Sequence, residues 1–154
     1  MKTITGGKVV ASGGFGCVFE PALKCKGAKK RTSGKISKLM ITKHAIEEYE
    51  EITNIKNKLD TIKNYEDYFL LQDIELCSPA KLTQTDLTAF NKKCTALKKK
   101  NITRNNINEN IADMMTLNMP NGGEPIDDFK KRTPTIESVL VIQNELIELL
   151  KNGI

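Results

Sequence analysis

The sequence predicts an α+β domain in which short strands surround one main amphipathic helix, with further helix towards the end. Three observations carry this. A glycine cluster, Gly13-Gly14-Phe15-Gly16, lies between two apolar runs near the N-terminus. The apolar period then changes from that of a strand to that of a helix over residues 43–63. A Pro-Asn-Gly-Gly turn at 120–123 sets everything before it apart from a second amphipathic stretch.

Taken in order, Lys8-Val9-Val10-Ala11 leads into the glycine turn and Cys17-Val18-Phe19 leads out, which reads as strand, turn, strand. Residues 20–35 are polar, basic and turn-rich, as in an exposed loop. Ile36 to Met40 alternates and predicts a third strand. Ala45, Ile52, Ile55, Leu59 and Ile62 recur at helical spacing and predict the main helix. Tyr68 to Leu71 reads as a fourth strand and Ile111 to Leu117 as a fifth. Between them, residues 78–110 read as a partly ordered insertion. A helix over Thr85 to Leu97 would put Leu87, Phe90 and Cys94 on one face. Thr133-Pro134 is a helix start, with threonine as cap and proline in the first turn. Val139, Ile142, Leu146, Leu149 and Leu150 share a face after it, and Gly153 is a natural stop. The expected division is residues 1–124 and residues 125–154.

The bulk composition excludes several classes. With 39% hydrophobic and 5% aromatic residues, the core of this 154-residue chain is modest and aliphatic. The formal charge of +5 permits contact with phosphates or acidic partners. Cys17, Cys25, Cys77 and Cys94 form no CxxC pair and His44 stands alone, so no metal site is expected. Free thiols in a reducing compartment are the expectation. No apolar run is long enough to span a bilayer, and no secretory h-region opens the chain. A cytoplasmic protein without membrane contact is expected. Gly6-Gly7-Lys8-Val9 and Gly34-Lys35-Ile36 both fail the GxxxxGK[ST] pattern. Lys98-Lys99-Lys100 and Arg104, with the 25–31 loop, have no aromatic residues interleaved, so they read as a solvated charge run rather than a nucleic-acid surface.

The order of these segments resembles the N-terminal lobe of serine/threonine protein kinases followed by the first helices of the C-terminal lobe. The family's phosphate-covering pattern is GxGxxGxV. Gly13 and Gly16 match its second and third glycines, Phe15 the aromatic at the tip and Val18 the valine, while Ala11 replaces the first glycine. Ile36-Ser37-Lys38 resembles the strand that carries the family's phosphate-binding lysine. A glutamate on the next helix should pair with it. Glu51 has the better spacing from Lys38 and Glu48 sits more centrally on the apolar face, and of the two Glu51 is favoured. Leu117-Asn118-Met119-Pro120-Asn121-Gly122-Gly123-Glu124 resembles the linker between the lobes. Ile126-Asp127-Asp128-Phe129 looks like the start of the short helix beyond it, and Pro134 to Lys151 like the long helix of the C-terminal lobe. The likeness is greatest to the divergent kinases of large cytoplasmic DNA viruses, which would place the protein in host cytoplasm or the virion.

The resemblance implies a five-stranded antiparallel sheet with one main helix, then two helices of an incomplete C-lobe. It implies ATP, weakly held, as cofactor: Ala11, Ser12, Gly13, Gly14, Phe15 and Gly16 over the phosphates, Lys38 and Glu51 beside them, and Val18 and Leu117 against adenine. Asn118 and Met119 would offer backbone groups, while Pro120 has no N–H to give. No H-R-D-x-x-x-x-N, D-F-G or A-P-E occurs, so the family's catalytic residues and Mg²⁺ ligands are absent from these residues. The implied function is a truncated or split kinase-like domain, with a non-catalytic pseudokinase-type interaction module as the alternative. Its partner would be a missing C-lobe or another protein covering the 134–152 helix.

Overall fold

The computed structural model describes residues 7–123 and 135–151. The chain divides into two compact units, Met1–Asn121 and Gly122–Ile154. In the first, strands β1 (Lys8–Ser12), β2 (Gly16–Glu20), β3 (Lys35–Ile41), β4 (Glu75–Cys77) and β5 (Met114–Pro120) form one sheet in the order β1-β2-β3-β5-β4. Every neighbouring pair is antiparallel. Helix α1 (Thr42–Leu59) follows β3 directly, and two one-turn helices, α2 (Phe90–Lys93) and α3 (Thr95–Lys98), lie between β4 and β5.

The glycine turn closes β1 onto β2, with the Gly13 N–H donating to the Gly16 carbonyl at 2.9 Å. Gly16 is required by packing. A Cβ there would lie 2.3 Å from Met40 Cγ and 2.5 Å from the Leu39 carbonyl oxygen. Successive strand residues point to opposite faces, so the sheet sorts its side chains into two clusters. One face carries Val9, Cys17, Phe19, Leu39 and Met114, covered by Leu82, Leu87, Phe90, Leu97 and Ile107 of the 78–110 segment. The other carries Met40 and Leu117, covered by Ala45, Tyr49 and Ile52 of α1, with Leu76 of β4 beside them. Full burial of a Phe or Leu side chain contributes about 1.5–3 kcal/mol, so the 78–110 segment supplies a large share of the core.

That is the main departure from the sequence reading, which took this segment as a partly ordered insertion. Leu87, Phe90 and Cys94 are buried together as expected. They sit on short turns rather than one helix, because Ala89 takes a left-handed conformation (φ 59°) just before α2. The fourth strand is also displaced. Tyr65–Asp67 is a 3₁₀ turn, and Phe69 N bonds back to the Tyr65 carbonyl, which curls residues 68–71 away from any ladder. The strand that pairs is Glu75–Cys77, placing Leu76 opposite Leu117. The fifth strand begins at Met114, three residues later than expected, after a 3₁₀ turn at Ile111–Asp113.

All four cysteines are paired, contrary to the expectation of free thiols. Cys17–Cys94 ties β2 to the covering segment, and Cys25–Cys77 ties the 20–35 loop to β4. The absence of CxxC spacing said nothing about partners brought together by the sheet.

The second unit contains helix α4 (Ile136–Lys151). Thr135 caps it, its Oγ1 accepting from Ser138 N at 3.3 Å. The cap expected at Thr133-Pro134 and the short helix expected at Ile126–Phe129 lie outside the described residues. Ile136, Val139, Leu140 and Leu150 are among the exposed apolar side chains of α4. No helix among the described residues is long and apolar enough to cross a membrane.

Candidate functional site

Register places a row of predicted site residues on one face of the sheet. Ala11 lies opposite Val18, Val18 opposite Lys38, and Lys38 opposite Leu117. Directly paired residues share a face, so this row crosses four strands on the side that α1 covers. Lys38 Nζ donates to both carboxylate oxygens of Glu48, at 2.7 and 2.6 Å. The two side chains are 21% and 25% exposed.

Glu48, and not the favoured Glu51, is therefore the partner of Lys38. Residues three and four apart share a helix face, and Glu48 lies on the face with Ala45, Tyr49 and Ile52 that meets the sheet. Glu51 is exposed.

The glycine turn stands next to this pair. A Cβ on Gly13 would lie 3.8 Å from Lys38 Cε, and one on Gly14 would meet nothing within 4 Å. The Gly13 N–H is committed to the hairpin, whereas those of Gly14 and Phe15 make no hydrogen bond among the described residues. The Phe15 ring, at the exposed tip, stacks on His44 in the first turn of α1, with centroids 4.6 Å apart. His44 Nδ1 lies 3.2 Å from Glu47 Oε2. The turn is thus laid against α1, bringing two open amides and one ammonium group into one neighbourhood. Such a set can hold an anionic group such as a phosphate.

Other expected residues are placed differently. Ser12 faces the opposite side, where its Oγ accepts from Ala96 N at 3.0 Å, so its hydroxyl has no part in this arrangement. Leu117 is fully buried between the sheet and α1 and lines no open surface. The Asn118 side chain is also turned away. Its Oδ1 accepts from Ser37 Oγ, and its Nδ2 points at the sulfurs of Cys25 and Cys77. Backbone direction alternates along an antiparallel strand. The bond from Asn121 N to the Gly34 carbonyl fixes that alternation. Met119 aims its peptide groups at Ile36 of β3, and Asn118 aims its own at Glu75 of β4. The backbone groups expected to meet adenine are spent within the sheet.

Cys25, Glu75 and Cys77 are the one group of potential metal ligands close together among the described residues. The two sulfurs are bonded to each other, so they offer no thiolate. A polar cleft of about 670 Å³ opens on the 78–110 segment. Its Gln84, Asn91, Arg104 and Asn108 are already joined to one another or to backbone. Sequence reasoning had no signal for the Phe15–His44 stack, since those residues lie 29 positions apart with no motif between them. No family model, curated protein or solved structure matches this chain.

Proposed function

We propose that the first unit is a nucleotide-binding lobe of the serine/threonine protein kinase type, with ATP as its ligand, held chiefly through the phosphates. The observation that carries this reading is the ion pair between Lys38 of β3 and Glu48 of α1 beside a glycine turn with two open amides. In that family a strand lysine paired to a helix glutamate orients the α- and β-phosphates under a glycine-rich loop. The strand order and the position of α1 between β3 and β4 support it further.

Fit differs at the two ends of the nucleotide. The phosphate end has an ammonium, two amides and open space over Gly14. The adenine end lacks free hydrogen-bonding groups at Asn118 and Met119, and Pro120 has no N–H. Binding is therefore weak and insensitive to the base. When bound, ATP would supply a transferable phosphoryl group, but these residues include neither the family's catalytic aspartate nor its metal ligands. The reading is thus of the nucleotide-holding lobe of a kinase-like domain, and it concerns binding by these residues alone. The exposed apolar side chains of α4 favour a second reading, a non-catalytic interaction module.

Isothermal titration with ATP, ADP and adenosine tests the proposal. ATP should bind more tightly than adenosine, and Lys38→Met should weaken ATP binding about tenfold or more, the loss expected for a charged hydrogen bond. Adenosine binding as well as ATP, or an unchanged affinity in Lys38→Met, refutes it.

A further inference from the structure

Charge is unevenly distributed along this chain. Segments 20–35 and 78–110 together hold 13 of the 24 Lys and Arg residues but only three of the 19 Asp and Glu residues, a net +10. The remainder holds 11 against 16, a net −5. The fold brings the two basic segments together. Cys25 forms a β-bridge with Pro79, Lys26 N donates to the Ser78 carbonyl at 2.8 Å, and Ala80 N donates to the Lys24 carbonyl at 2.7 Å. Arg31 and Asp86 pair at 2.8 Å, with both side chains largely buried. That pair uses up one of the few local carboxylates internally. Lys24, Lys26 and Lys81 have no carboxylate partner among the described residues.

A cleft of about 470 Å³ lies at this junction, with those three lysines on its walls and Pro79, Ala80 and Ile111 among its apolar lining. We propose that it is a docking site for an acidic polypeptide segment, one that alternates carboxylate and small apolar side chains. Its volume falls within the range of built ligand sites, about 300–1,000 Å³. Ammonium groups are point charges, suited to carboxylates on a flexible chain and not dependent on planar, two-pronged geometry. Nucleic acid fits less well. No aromatic side chain lines the cleft to stack a base, and α2 and α3 are four residues each, too short to read a groove. The proposal does not depend on the nucleotide-site reading.

The test is fluorescence anisotropy of the full chain with a labelled Glu-Ala repeat peptide of about twelve residues. The expected result is binding that weakens as salt is raised from low ionic strength. The triple variant Lys24→Glu, Lys26→Glu, Lys81→Glu should lose about tenfold or more. Lys58→Glu, Lys63→Glu, on exposed positions outside the cleft, should bind as the parent does. A thermal melt confirms that the triple variant folds, as expected for lysines without intramolecular partners. The proposal is overturned if the parent does not bind the peptide, or if the triple variant binds equally well. Tighter binding of a single-stranded or duplex oligonucleotide at the same salt also overturns it, as does self-association through these lysines in light scattering.

Discussion

Glu48→Gln keeps the shape of the side chain and removes the charge to which Lys38 donates. At 2.6–2.7 Å and an effective dielectric of about 20, the gross attraction is about 6 kcal/mol. Desolvation, rotamer entropy and salt screening offset most of this. Exposures of 21% and 25% place the pair between a surface bridge, worth about 0–1 kcal/mol, and a buried one. A coupling of about 1–2 kcal/mol follows. It is measured by urea unfolding of the parent, Lys38→Met, Glu48→Gln and the double variant. A second cycle replaces Glu48→Gln with Glu51→Gln. Additivity there should hold to about 0.3–0.5 kcal/mol, as for residues that share no partner. Zero coupling between Lys38 and Glu48, or equal coupling to Glu51, would refute the assignment and remove the main support for the nucleotide site.

Two glycines of the turn should respond oppositely to alanine. Gly16→Ala drives a Cβ to within 2.5 Å of both Met40 and the Leu39 carbonyl and should cost about 1–3 kcal/mol. Gly14→Ala meets nothing and should leave the urea midpoint nearly unchanged. The Cys17–Cys94 bridge spans 77 residues, and a loop of that size is stabilised by about 4–5 kcal/mol on chain entropy alone. Part of that is shared with Cys25–Cys77, which lies inside the same loop. Cys17→Ala, Cys94→Ala should therefore melt well below the parent under oxidising conditions, and an equal midpoint would show that the bridge does not form. The Asp60 carboxylate beside the Tyr65 phenol, together with burial and the charge of Glu66, raises its pKa to about 12. The folded state prefers the neutral phenol, so this contribution is complete below pH 10 and is lost as pH rises from about 10 to 12. The ultraviolet absorbance of the tyrosinate should show Tyr65 titrating above the ordinary phenol value of about 10, and Asp60→Asn should lower its midpoint.

Much of the sheet could be read because its strands obey local rules. The alternation in Ile36–Met40 and the glycine turn at 13–16 each specify their element without help from elsewhere. β4 could not be read, since Glu-Leu-Cys is three residues whose only qualification is the open edge of β5. Tyr68–Leu71 had the better local pattern and lost because Tyr65 is buried in a turn. For Glu48, the helical projection pointed to the residue that the structure pairs, and spacing along the chain pointed to the wrong one. Distance in sequence does not determine which side of a helix faces the sheet. The disulfides were illegible because each joins residues more than 50 positions apart, and the covering role of 78–110 because it depends on the packing of that segment against a sheet face assembled from distant strands.

The placement of β5 bears on how the chain is made. It is the last of these five strands to be synthesised, yet it lies between β3 and β4 and bonds to both. Until residue 120 has left the ribosome, the two halves of the sheet have no common neighbour. The apolar side chains of β3 and α1 must wait beside the exit tunnel without the strand that completes their cluster. Such non-local pairing slows folding and leaves unpaired edges exposed. A nascent chain stalled before Met114 should therefore recruit chaperones that one stalled well past Pro120 does not.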